Sequence, residues 1–143
     1  MKQLAVPAYR TIAVALEFGA HDEKLLAYAL GQGKKDTTYL LIHVVESATA
    51  RLLGESTDDF ETRSDAARMQ QYVDFLQQQG HKAIGKLGFH ERAKEIARII
   101  GEEKADMLVI GAHRHAGVKD WIYGETINTV RHEIEVPILV VNL

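Results

Sequence analysis

The chain reads as an α/β protein: one mostly parallel sheet with helices on both faces. Two observations predict this. Short continuous apolar runs, such as Thr11-Ile12-Ala13-Val14-Ala15-Leu16 and Tyr39-Leu40-Leu41-Ile42-His43-Val44-Val45, alternate with segments whose apolar residues recur at helical spacing. Strands read this way when crossover helices cover both faces of their sheet. The second observation is Leu108-Val109-Ile110-Gly111, which passes through a glycine-punctuated turn into Gly124-Glu125-Thr126, a strand followed by a helix start.

Each element has its own reason. The run 11–16 is rich in β-branched residues and predicts strand one. Residues 22–32 place Leu25, Leu26, Ala29 and Leu30 on one helical stripe, with Gly31 and Gly33 as the stop signal. The run 39–45 predicts strand two. A polar, acidic stretch with Glu55, Asp58, Asp59 and Glu61 is read as a solvated loop leading to a helix start, where negative charge suits the helix dipole. It lacks the ligand spacing of a calcium loop. A long helix follows over about 59–79, with Ala66, Met69, Val73 and Leu76 inward and Gly80 just past its end. Residues 82–87 predict a weak strand three. Residues 91–102 predict a third helix that buries Ile96, Ala97, Ile99 and Ile100. Strand four covers 107–110, a short fourth helix 126–132, and Val136-Pro137-Ile138-Leu139-Val140-Val141 is strand five.

The whole chain, 143 residues, suits one domain with one core, and residues 1–8 read as a lead segment. A hydrophobic fraction of 46% is ordinary for a globular protein, and a net charge of −3 offers no electrostatic reason to expect nucleic-acid binding. The absence of cysteine excludes disulfides, thiolate catalysis and zinc–thiolate sites. No apolar run is long enough to span a bilayer, and Met1-Lys2-Gln3-Leu4-Ala5-Val6-Pro7 carries no signal-peptide h-region. The expected location is cytoplasmic.

Right-handed crossovers put a ligand crevice beyond the carboxyl ends of the strands, where strand order reverses. The groups nearest it are Glu17 and Phe18, Glu46 and Ser47, residues 88–90, and residues 111–114. A strand–turn–helix junction in such a sheet is also where a nucleotide phosphate commonly sits.

Four segments in order resemble the universal stress protein family: Ala13-Val14-Ala15-Leu16-Glu17, Leu41-Ile42-His43-Val44-Val45, Ala105-Asp106-Met107-Leu108-Val109-Ile110-Gly111 and Val136-Pro137-Ile138-Leu139-Val140-Val141. The resemblance covers nearly the whole length. It implies an open five-stranded parallel sheet of order 3-2-1-4-5, of the adenine nucleotide alpha hydrolase type, in a dimer. ATP-binding members carry Gly-x2-Gly-x9-Gly-Ser/Thr. Gly111 and Gly124 stand at the first and third glycines, Arg114 replaces the second, and Glu125 replaces the hydroxyl residue. The acidic residue that members place after strand one to meet adenosine is Glu17 here. On this resemblance the nucleotide-binding candidates are Glu17, Val44, Gly111, His113, Arg114, Gly124, Glu125 and Thr126.

The two departures act against a triphosphate. Arg114 costs about 1–2 kcal/mol if its position needs a left-handed backbone. An ionised Glu125 only accepts hydrogen bonds, and a carboxylate about 4 Å from a phosphate charge costs roughly 1–4 kcal/mol. Arg114, Lys119 and Thr126 offset this in part, arginine by a bidentate contact. ATP with Mg²⁺, or AMP, are the cofactor candidates; AMP, a cyclic nucleotide or a nucleoside brings less phosphate to Glu125.

Other candidates have plain readings beside the chemical ones. His113-Arg114-His115 is a solvated basic loop, a phosphate contact or a weak metal pair. His43, inside an apolar strand, is read as a structural histidine, and Asp106 as a structural acid. Gly88-Phe89-His90 serves the turn after strand three. Trp121 and Tyr123 anchor the long loop, join an interface or stack on a base. Asp120 and Glu125 are the one pair of carboxylates in the loop that catalysis could use, so enzymatic activity is not the expectation.

In the implied order strand five is an edge. Its apolar residues and open hydrogen-bonding groups call for a cover, and the same strand of a second copy supplies it; Pro137 near its start suits an edge. A homodimer through this strand is expected. Three functional readings stand together: a regulatory or stress-response module holding a small ligand or working through protein contacts, an ATP-binding protein with slow hydrolysis, and a cytosolic regulatory domain of a larger protein such as a membrane transporter. Association with a membrane transporter is the partner reading beside the homodimer.

Overall fold

The computed structural model describes residues 1–113 and 124–143. In chain order the elements are β1 (Thr11–Ala15), α1 (Asp22–Gln32), β2 (Thr38–Val44), α2 (Ala48–Leu53), a 3-10 turn (Gly54–Ser56), α3 (Phe60–Gln78), β3 (Lys82–Gly88), α4 (Arg92–Glu103), β4 (Met107–Ala112), α5 (Glu125–Glu133) and β5 (Ile138–Asn142). The five strands form one parallel sheet in the order β3-β2-β1-β4-β5, as expected. Strand order reverses at β1, which lies between β2 and β4.

Alternation along the strands builds a core on each face. Ile12, Val14 and Leu41 face the apolar stripes of α1 and α3, including Leu25, Leu26, Val73 and Leu76. Ala13, Leu40 and Ile42 face α4 and α5, which contribute Ile96, Ile99, Ile127 and Val130. Asp106 ties the start of β4 to that of β1: its Oδ2 accepts from the backbone N–H groups of Arg10 (2.8 Å) and Thr11 (2.9 Å).

Several boundaries and one element differ from the sequence reading. The acidic stretch before the long helix is not all loop: Ser47 accepts from the Ala50 N–H at 3.1 Å and starts α2, a helix too short to show a hydrophobic period. The Ser47 hydroxyl also donates to Asp59 (2.7 Å), which in turn caps α3 by accepting from the Thr62 N–H. On α3 the buried stripe is Thr62, Met69, Val73 and Leu76, and Ala66 is exposed. β4 continues past Ile110, so Gly111 belongs to the strand, opposite Val141, and not to a turn. Glu125, expected ahead of the fourth helix, is its first residue. β5 runs from Ile138 and not from Val136: Pro137 has no N–H, and only its carbonyl joins the ladder, accepting from Leu108 at 2.9 Å.

Candidate functional site

A cavity of about 480 Å³ lies at the reversal point, beyond the carboxyl ends of β1, β2 and β4. Its floor is apolar: Ala15, Ile42, Val44, Ile96, Ile110 and Ile127. Its polar rim is Glu17, Arg92, His113 and Thr126, with Gly111 and Gly124 alongside. The volume suits a small organic molecule, and an apolar floor with few polar groups is the usual make-up of such a pocket.

The β1–α1 turn sets Glu17. The Leu16 N–H continues the strand ladder to the Ile42 carbonyl (2.8 Å). The Asp22 carboxylate, buried at 4% exposure, accepts from the N–H groups of Glu17 and Gly19, both at 3.3 Å, and from the Tyr72 hydroxyl at 2.8 Å. Burial and the bond to Asp22 push the Tyr72 hydroxyl up to about 12. Phe18 turns the chain with φ of 59°, a left-handed backbone that costs a non-glycine residue about 1–2 kcal/mol. Its ring stacks on His43 at 3.9 Å and on Tyr72 at 5.4 Å, contacts that offset the strain. His43 is structural, as read from the sequence: Nδ1 meets the Leu16 carbonyl (2.9 Å) and Nε2 meets Asp65 (3.1 Å).

Above this turn the rim is an ion cluster. His113, just past β4, places Nε2 2.9 Å from Glu17 Oε2. Arg92, the first residue of α4, bonds Glu46 through Nη2 and stands 3.8 Å from Glu17 Oε1 through Nη1. His21 lies beside His113, ring centres 5.6 Å apart. A carboxylate held in this way can accept hydrogen bonds from hydroxyls on a bound molecule.

Behind Arg92, α4 is fixed by a second acid. Glu95, buried at 6%, accepts from the Phe89 N–H at 3.1 Å and pairs with Arg98 through both oxygens, and the Arg98 hydrogen bonds hold its carboxyl below the usual range. Gly88 permits this: a Cβ there would stand 2.9 Å from that of Glu95 and 3.1 Å from Val44.

Of the residues singled out in the sequence, Glu17, Val44, Gly111, His113, Gly124 and Thr126 meet around the cavity. Glu125 is exposed beside them at the start of α5. Arg114, His115, Lys119, Asp120, Trp121 and Tyr123 lie outside the described residues. Arg92 is the rim residue the sequence reading missed. A signal existed: a cation in the first turn of a helix opposes the dipole, so its place needs another reason.

An open parallel sheet with an apolar, polar-rimmed cavity at its reversal point defines a doubly wound α/β domain with its crevice at the strand ends. The chain belongs to the universal stress protein family, whose model matches residues 8–142. Among solved structures, that of the hypothetical protein MJ0577 is similar with a TM-score of 0.76 and 21% identity, over 96% of this chain and 98% of that one. A universal stress protein from Archaeoglobus fulgidus in complex with dAMP matches with a TM-score of 0.68 and 17% identity, over 94% and 98%. Another universal stress protein, in complex with cAMP, matches with a TM-score of 0.65 and 15% identity, over 95% and 98%. At these identities the likeness establishes a common fold. A comparison with curated proteins gives no match.

Proposed function

We propose that this chain is a stress-response module that holds an adenine nucleoside or nucleoside monophosphate in the crevice. The observation that carries the reading is the cavity itself: an apolar slot with one carboxylate, Glu17, held at its mouth. The slot suits a base, and Glu17 accepts from ribose hydroxyls. Gly111, Gly124 and Thr126 line the side where a phosphate would meet the start of α5. Glu125 at that helix start repels additional phosphates, so a monophosphate is preferred over a triphosphate. The dAMP and cAMP complexes of the two relatives support a mononucleotide.

The module acts as a homodimer through β5. This strand has β4 alone as its neighbour among the described residues, and Ile138, Leu139 and Val140 are only half-buried. No described helix is long and apolar enough to cross a membrane, and a cysteine-free chain suits the cytoplasm.

Calorimetry with adenosine, AMP, cAMP and Mg²⁺–ATP tests the ligand. AMP should bind, with Mg²⁺–ATP at least about tenfold weaker, the equivalent of 1.4 kcal/mol. Tighter binding of Mg²⁺–ATP, or no heat from any of the four, overturns the reading.

A further inference from the structure

We infer that Arg92 is a positioning residue for ribose recognition: its guanidinium holds the Glu17 carboxylate at the crevice mouth by bridging it to Glu46. The inference rests on the nucleotide reading above and goes beyond it, because nothing in the motif or the family match marks residue 92.

The argument begins with Glu17. Its side chain is 47% exposed, and a free glutamate in that setting samples many rotamers. A carboxylate that must accept two hydroxyls at fixed positions binds better when it is already placed. Two groups place it. His113 Nε2 meets Oε2 at 2.9 Å, and Arg92 Nη1 approaches Oε1 at 3.8 Å. Arg92 is in turn held by Glu46 through its other terminal nitrogen.

The fork matters. Glu17 follows β1 and Glu46 follows β2, and these strands are neighbours in the sheet. Without a cation between them the two carboxylates repel, and Glu17 swings away from the slot. A planar guanidinium serves both acids with separate nitrogens, whereas a lysine ammonium is a single compact charge on a flexible stem. Helix stability does not explain the arginine either. It occupies the first position of α4, where the dipole disfavours a cation. The backbone beneath is firm, since Glu95 ties the first turn of α4 to Phe89.

The test compares AMP with 2′,3′-dideoxy-AMP, which differ only in the two ribose hydroxyls. Wild-type protein should bind AMP about tenfold or more tightly, as expected for hydrogen bonds to a carboxylate. Arg92→Met should cut that ratio to about twofold or less, and Arg92→Lys should recover only part of it. Glu17→Gln should give a similarly low ratio, with little further change in the double variant, because the two residues then act through one contact. An Arg92→Met protein that keeps the wild-type ratio, or loses affinity equally for both ligands, overturns the inference and leaves the nucleotide reading standing. If wild-type protein binds none of adenosine, AMP, cAMP and Mg²⁺–ATP, both fall. Should Arg92→Met fail to fold, Arg92→Lys with Glu46→Gln carries the same comparison: a reduced ratio in each supports the bridge, and an unchanged ratio in both overturns it.

Discussion

The side chain of Leu143 lies directly over the α-carbon of Gly111: a Cβ built at 111 would overlap Leu143 Cδ1 and stand 3.0 Å from Cγ. A side chain at the first glycine of the phosphate-type motif thus meets the end of the Leu143 side chain, which must move aside to admit it. Gly111→Val should destabilise the protein by about 1–3 kcal/mol, as overpacking does. Leu143→Ala on that background should restore much of the loss. Urea denaturation of the three proteins checks this, and a Gly111→Val protein as stable as wild type contradicts it.

The bond from Tyr72 to Asp22 makes a prediction for alkaline solution. The hydroxyl titrates at about 12 in the folded chain against an ordinary 10.0. Between those values the unfolded chain has lost its proton and the folded one has kept it. Stability from this group is therefore complete below pH 10 and declines as pH rises through about 12. Tyr72→Phe should flatten that decline. Unfolding curves at several alkaline pH values, read as the difference between the two proteins, provide the check.

Asp106 carries two backbone hydrogen bonds that join the starts of β1 and β4. Asp106→Ala should cost about 2–3 kcal/mol, because bonds to a charged acceptor are lost and the Thr11 N–H is left half-buried without its partner. Chemical denaturation measures it. A loss under a few tenths of a kcal/mol would mean that solvent replaces the carboxylate freely.

Glu125 should act on phosphate number and not on the base. Glu125→Ser removes the repelling charge at the first residue of α5 and supplies a hydroxyl donor. Mg²⁺–ATP should gain at least about fivefold in affinity, the low end of the electrostatic range, while adenosine changes little. Equal gains for adenosine and ATP would place Glu125 outside the phosphate path.

Val140→Lys puts a charge on the half-buried face of the edge strand β5, where Val140 packs against the core. Sedimentation should show a wild-type dimer at micromolar concentration and a monomeric variant. A wild-type monomer under those conditions rules the β5 dimer out.

Most of the architecture could be read from the chain because its signals are local and repeated. The stripe Leu25, Leu26 and Ala29 marks α1, and the run Leu40-Leu41-Ile42 marks a strand with two covered faces. The element that escaped, α2, is six residues long and held by Ser47, a cap with no hydrophobic period behind it. The site divides in the same way. Glu17, Gly111 and Gly124 follow from strand ends and motif spacing. Arg92 does not, since its partners Glu17 and Glu46 sit 75 and 46 residues before it and only the sheet brings them together. Asp22 and Tyr72 escaped for the same reason, being 50 residues apart.

The bend after β1 is clamped from the rear of the sheet: Asp22 grips the backbone of Glu17, and His43 reaches the carbonyl of Leu16. None of these groups faces the crevice, yet they set the height at which the Glu17 side chain emerges. Evolution of a new ligand preference therefore has two independent dials. Substitutions along the rim exchange the chemistry presented to solvent, while substitutions on α3, at Asp65 or Tyr72, raise or lower the platform on which that chemistry stands.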